Sequence, residues 1–253
     1  MRRLLAAALL AASGFAAAGP LLDFRSDLAF SSAEVNALAA KDYDARLRAL
    51  ARAGQLDRDA ALGERLRRIL PRLRDAALRE RPDSSRLAWE IHTCTGCDEN
   101  ASAMAGGKLL VSSGFVAQLA LGDDELAYLL AHEMAHVLAE HTREFATTAR
   151  FFVGNGRARN FADIQHELDE SLPANLRLNH EYEQEELEAD YIGFVLGARA
   201  GFAPEAMPSL LGKLRTEGTP LLGSSTIDAR RAQQAHVMLD MARRIAARSR
   251  AER

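Results

Sequence analysis

The sequence predicts an α+β domain, mostly helical, with one small antiparallel β-sheet beside a buried central helix. Three observations carry this. Apolar residues recur at three- and four-residue spacing through most of the chain. Only short segments near residues 87–112 alternate instead, around a Gly106-Gly107 turn. No internal repeat is present, and beyond the first residues no apolar stretch is long enough to span a bilayer. The 253 residues, 48% hydrophobic and 26% charged, have the composition of an ordinary folded protein. A formal net charge of -3 argues against nucleic acid or an anionic membrane surface as partner.

Arg2 and Arg3, the apolar run from Leu4 to Ala12 and the small residues Ala16-Ala17-Ala18 follow the three-part layout of a secretory signal. Residues 1–18 are therefore expected to be a signal peptide cleaved after Ala18. The alternative is an uncleaved anchor, but Ser13 and Gly14 interrupt the run well short of the roughly 20 residues a span needs. Residues 19–253 are expected to form a single domain in an exported compartment, the bacterial periplasm, with no transmembrane segment.

Ser31 followed by Glu34 makes a capping box that opens a helix to about Ala53, ended by Gly54. A second helix is expected from near Asp57 to Arg79, kinked or split at Pro71. Leu87, Trp89 and Ile91 then alternate with Ala88, Glu90 and His92 as a strand. The only cysteines, Cys94 and Cys97, follow it. In an oxidising compartment a local disulfide is the plainest reading; free thiols and a redox or metal role are the alternatives. Lys108 to Ser112 reads as another strand and Gly114 to Leu121 as a short helix. Asp123, Asp124 and Glu125 place three acids in the first turn of the next helix, where they complement its dipole. Its apolar spacing runs to about Phe145. Residues 146–178 are poorly patterned. A helix follows from about Glu181 to Ala200, then one begun near Pro204, and a last one after a loop at Thr219 to Ser225.

The chemistry-bearing pattern is His132-Glu133-Met134-Ala135-His136, an HExxH motif inside the acid-capped helix. At about 100° per residue, positions four apart share a helix face, so both imidazoles can hold one metal ion. Glu133 beside them is placed to take a proton from an attacking water. Apolar neighbours such as Leu130, Ala131 and Val137 put the motif on a buried helix rather than a solvated face. His141 lies five residues after His136, about 140° around a continuous helix, and so points elsewhere. A third protein ligand is expected, because catalytic zinc sites usually have three plus a water. Thr142 stands where a longer His motif would need its histidine. The segment Glu186-Leu187-Glu188-Ala189-Asp190 is the better source: Glu186 and Asp190 share a face, so one can bind the metal with the other behind it. Asp190 is then placed to accept the ring N–H of His132. Glu181, Glu183, Glu185 and Glu188 read, taken alone, as a solvated acidic face.

The stretch from Leu129 to Val137, with Glu186-Leu187-Glu188-Ala189-Asp190 and Gly193, resembles the HtpX and CAAX-prenyl-protease-related family of gluzincin metallopeptidases. Asn100 to Lys108 resembles that family's stretch before its active-site edge strand, and the likeness covers roughly residues 60 to 235. The resemblance implies a zincin-like domain holding one Zn(2+) per chain through His132, His136 and Glu186, with Glu133 as catalytic base. It also implies that Ala101, Ser102, Ala103 and Met104 receive a protein or peptide substrate in extended form. Two departures stand out. The family often carries a His-Pro pair six residues before an arginine; Arg230 fits that arginine, but Ser224 and Ser225 occupy the pair's positions. Transition-state stabilisation would then be weaker, or come from Arg230, Tyr182, His180 or the metal alone. Ser102 also stands where an aromatic residue is common.

The expected function is zinc-dependent endoproteolysis of unfolded or damaged exported envelope proteins. The main rival is a zinc-containing envelope chaperone or adaptor with little turnover. A thiol oxidoreductase using Cys94 and Cys97 is a poor third, since no thioredoxin-like order of elements surrounds them.

Overall fold

The computed structural model describes residues 28–97, 100–153, 159–170, 172–216 and 225–251; at 169–170, 172–177, 179–181, 216 and 225–228 only the backbone is described. The expected signal peptide and its cleavage point lie outside these residues.

Helix α1 (Ser32–Arg52) starts where the Ser31 hydroxyl accepts from the Glu34 N–H at 3.1 Å. The Glu34 carboxylate accepts from the backbone N–H of Phe161, 3.3 Å away, so this half of the expected box is spent on a tertiary contact. Helix α2 (Ala60–Glu80) is capped by Asp59 and runs on through Pro71. Its buried stripe, including Leu62, Leu66, Ile69 and Leu73, holds it against the core and offsets the single N–H that Pro71 lacks. Asp57 is not part of that helix. Its carboxylate accepts from the Thr93 N–H at 2.8 Å and ties the preceding loop to the sheet.

A short 3-10 turn, Pro82–Arg86, leads to strands β1 (Glu90–Cys94), β2 (Ala101–Met104) and β3 (Lys108–Ser112). The order is β1-β3-β2; β1 runs parallel to β3, and β2 antiparallel to it. The sheet is therefore mixed, not purely antiparallel. Alternation in sequence reports which residues share a face but not which strands are neighbours. The Gly106-Gly107 turn, with φ of 81° and 91°, makes β2–β3 a hairpin, while β1 pairs on the far side of β3. β1 also starts at Glu90 rather than Leu87, where the Glu90 N–H reaches the Gly107 carbonyl at 2.9 Å. Cys94 and Cys97 are joined as a disulfide at the end of β1.

Helix α3 (Ser113–Gln118) leads to α4 (Asp123–Leu138), whose N-terminus is closed by the Glu125 carboxylate on the Gly122 N–H. The apolar pattern continues to Phe145, but the helix does not. Glu140 adopts a left-handed φ of 58°, and α5 (His141–Ala149) sets off in a new direction. Such a corner is unfavourable for a residue with a Cβ. Here it is tied down: Ser32 Oγ donates to Glu140 Oε1 at 2.7 Å, and Arg143 donates to Glu140 Oε2 at 2.6 Å. Then come α6 (Phe161–Glu170), α7 (Leu172–Arg199), α8 (Ala206–Thr216) and α9 (Ser225–Ala251). α7 begins well before Glu181, with Pro173 in its first turn, where proline costs no hydrogen bond.

α4 lies at the centre, packed on α7, α8, α2 and β2, while α7 also packs on α9. Every residue from 126 to 135 is buried, which makes α4 a core helix rather than an amphipathic surface one. The HExxH motif is thus carried on the best-supported element of the fold. α7 approaches it closely because Gly193 has no Cβ; one added there would meet the backbone of His132 at 2.8–2.9 Å. Among the described residues no helix is long and apolar enough to cross a membrane.

Candidate metal centre

The α4–α7 contact brings three donors together. His132 and His136, one turn apart on α4, have their Nε2 atoms 3.1 Å from one another. Glu186 on α7 sets Oε2 at 3.4 Å from His132 Nε2 and Oε1 at 3.3 Å from His136 Nε2. His132, His136 and Glu186 each offer a ligand atom within 4.8 Å of the others, the one such group of three among the described residues. Oε2 of Glu186 is buried and makes no well-formed hydrogen bond, its neighbours being His132 Nε2 at 3.4 Å and Arg231 Nη1 at 3.2 Å, so it keeps lone-pair capacity for a cation. Two imidazoles and a carboxylate match a catalytic zinc site, which keeps its fourth position for water or substrate.

Behind the donors lies a buried charged layer. Asp190, one turn after Glu186, stands 2.9 Å from His132 Nδ1 and orients that ring. Arg231 of α9, only 3% exposed, grips the same carboxylate with Nε at 2.7 Å and Nη2 at 2.9 Å. Its Nη1 reaches Glu186 Oε2 at 3.2 Å. Arg231, not Arg230, is the arginine of this site: Arg230 is exposed. Adjacent residues on a helix point about 100° apart, so the choice depends on how α9 is rotated, which the sequence does not state. Counting six residues back from Arg231 reaches Ser225, followed by Thr226, so in this register too the His-Pro pair is missing. Ser224 lies outside the described residues, and the His180 side chain is not described.

The electrostatics follow from this layering. Burial opposes ionisation of Glu186, but the adjacent imidazoles of His132 and His136 outweigh it and hold its carboxyl well below the usual range. Burial also opposes the charged form of His132, yet Glu186 and Asp190 overcome it and push the ring up to about 10. Burial opposes ionisation of Asp190 as well, but Arg231 and then His132 together outweigh it and hold its carboxyl down. Burial dominates at Glu133 and raises its carboxyl, which gives it the basicity a proton acceptor needs. Burial, then the Glu186 carboxylate beside it, pushes the Tyr182 phenol upward and keeps it protonated.

Sequence comparison fits this geometry: the model of peptidase family M48 matches residues 61–239. The chain belongs to peptidase family M48. Among curated proteins, it is 33% identical over 121 residues to mitochondrial metalloendopeptidase OMA1 of Saccharomyces cerevisiae. It is 36% identical over 128 residues to OMA1 of Schizosaccharomyces pombe, and 30% over 138 residues to that of Arabidopsis thaliana. These matches span 47%, 50% and 54% of this chain but only 35%, 37% and 28% of the relatives, about a third of their length.

Two expectations change. Within M48 the similarity found is to OMA1 proteins rather than specifically to the HtpX and CAAX-protease branch. Export to a bacterial periplasm is overturned, since these relatives are mitochondrial in fungi and a plant. The physical reason is that the leader pattern is not unique to export. Residues 1–22 carry Arg2 and Arg3 and no acid, and Arg-containing, acid-poor leaders also serve organelle import.

Two residues of the centre escaped sequence reasoning. Arg231 is hidden by its neighbour Arg230. His141 is hidden by the assumption that α4 runs on; the Glu140 corner swings it back, and its Nδ1 lies 2.8 Å from His136 Nδ1.

Proposed function

We propose that the chain is a zinc-dependent endopeptidase that cleaves extended, unfolded or damaged protein segments. His132, His136 and Glu186 hold one zinc ion, and Glu133 acts as general base. The observation that carries the reading is the convergence of those three donors, whose ligand atoms lie within 4.8 Å of one another. Bound zinc supplies Lewis acidity, polarising the scissile carbonyl and bringing a water's pKa toward about 7. Glu133, its carboxyl raised by burial, takes the proton from the attacking water and delivers it to the leaving amine. Asp190 keeps the His132 ring in place, and Arg231 keeps Asp190 ionised and aimed. With no histidine at either candidate auxiliary position, the protonated Tyr182 phenol is the side chain that steadies developing negative charge.

The substrate lies along β2. Among the described residues Ala101–Met104 pairs with β3 alone, and it packs against α4, so an extended chain can add to its outer edge beside the three donors. The small side chains of Ala101, Ser102 and Ala103 leave room for varied residues, as a processor of damaged proteins needs. The named activity of the OMA1 relatives supports an endopeptidase over an adaptor. Zinc analysis with a casein-cleavage assay tests the proposal. Cleavage should stop on chelation and return with zinc, while Glu133→Gln should keep about one zinc per chain and lose nearly all activity. A zinc-loaded wild-type chain that cleaves nothing would favour the chaperone or adaptor reading. A Glu133→Gln chain with near-normal activity would remove the base.

A further inference from the structure

A third histidine stands behind the three donors. His141 is 3% exposed, and its Nδ1 faces the Nδ1 of His136 at 2.8 Å. Two ring nitrogens at that distance share one proton, so one ring donates and the other accepts. His136 turns its other nitrogen, Nε2, toward Glu186 at 3.3 Å and His132 at 3.1 Å. A metal in that gap uses the Nε2 lone pair, which leaves the proton of a neutral His136 on Nδ1. His136 is then the donor, His141 accepts at Nδ1, and the proton of His141 must sit on its own Nε2. That nitrogen faces the Glu188 carboxylate at 3.6 Å, a charge contact just beyond hydrogen-bond distance.

We propose that His141 and Glu188 are positioning residues for the metal centre: Glu188 holds His141 in its Nε2–H tautomer, and His141 in turn fixes the ring that presents Nε2 of His136 to the cation. The two ligand histidines are thus supported in different ways. Asp190 faces His132 directly, whereas His136 receives its carboxylate through an intervening imidazole. The arrangement depends on the Glu140 corner. Were α4 continuous, His141 would stand about 140° around from His136. Ser32 and Arg143 hold the corner, and Arg143 also donates to the Phe30 carbonyl at 2.9 Å. Phe30 and Ser32 precede the family-matched residues 61–239, so a segment outside that match takes part in shaping the centre.

The inference rests on His136 being a zinc ligand, and the test separates the two claims. Long-range proton–nitrogen NMR on the full chain, labelled at histidine and titrated with zinc, reads each ring's tautomer without any substitution. The expected result is His136 metal-bound at Nε2 with its proton on Nδ1, and His141 protonated on Nε2. A His136 signal that ignores zinc overturns the metal-centre reading itself. A metal-bound His136 beside a His141 protonated on Nδ1 overturns only the present inference. By chelator competition, His141→Ala should weaken zinc binding about 10–100-fold. His141→Asn, whose amide oxygen can take the place of Nδ1, should restore it to within about threefold of wild type. Wild-type zinc affinity in His141→Ala, or an Asn variant no better than Ala, would overturn the proposal.

Discussion

Gly193→Ala is the sharpest test of how the metal centre is built, because it adds one methyl group and touches no donor. The new Cβ would lie 2.8 Å from the His132 nitrogen, 2.9 Å from its Cα and 3.0 Å from the Ala131 carbonyl carbon. All three are backbone atoms of a core helix, so no rotamer change relieves the contact. Ordinary packing distances require α4 and α7 to part by roughly 0.5–0.8 Å. Glu186 sits two turns earlier on the same face of α7, so it moves away from His132 and His136 with its helix. Metal sites tolerate errors of only about 0.2 Å, so zinc affinity should fall about 10-fold or more. Overpacking itself costs about 1–3 kcal/mol. For a domain of this size that lowers Tm by about 2–12 °C. Thermal melts of the metal-free chain and chelator competition for zinc measure the two effects separately. Gly212→Ala is the control: nothing lies within 4 Å of its added Cβ, so it should be neutral or stabilise by up to about 1 kcal/mol. If Gly193→Ala bound zinc and melted as wild type does, the close α4–α7 approach, and the donor geometry derived from it, would be refuted.

The remaining substitutions separate ligand from support. Glu186→Ala should lose zinc on dialysis against a weak chelator, whereas Asp190→Ala should retain it with affinity reduced about 10–100-fold; the reverse order would exchange their roles. Arg231→Ala leaves Asp190 buried without its counter-charge and should cost about 3–5 kcal/mol in denaturant unfolding. The exposed Arg230→Ala should stay within about 0.5 kcal/mol of wild type. Equal effects of the two would mean that α9 turns a different face toward Asp190.

Several features were legible because they are local. HExxH states its own geometry, since helical periodicity alone puts His132 and His136 on one face. The acidic first turn of α4, the Ser31 cap and the Gly106-Gly107 turn depend on residues a few positions apart, and the structure contains each. Local reading failed wherever a distant partner decided. Pro71 could have split α2, but a buried apolar stripe carries the helix through. The pattern to Phe145 promised one helix, but the polar ties of Glu140 to Ser32 and Arg143 stabilise a corner that no local preference predicts.

The sequence by itself determined the helical class, the HExxH motif and the segment that brings a third candidate donor, because each is written in the spacing of neighbouring residues. Tertiary structure decided how that segment meets the motif, which of two adjacent arginines is buried behind it, and that His141 returns beside His136. Those outcomes depend on the rotation and approach of α7 and α9 against α4 and on one left-handed corner. They are set by packing and charge pairing between residues far apart in the chain, and spacing along the sequence carries no record of them.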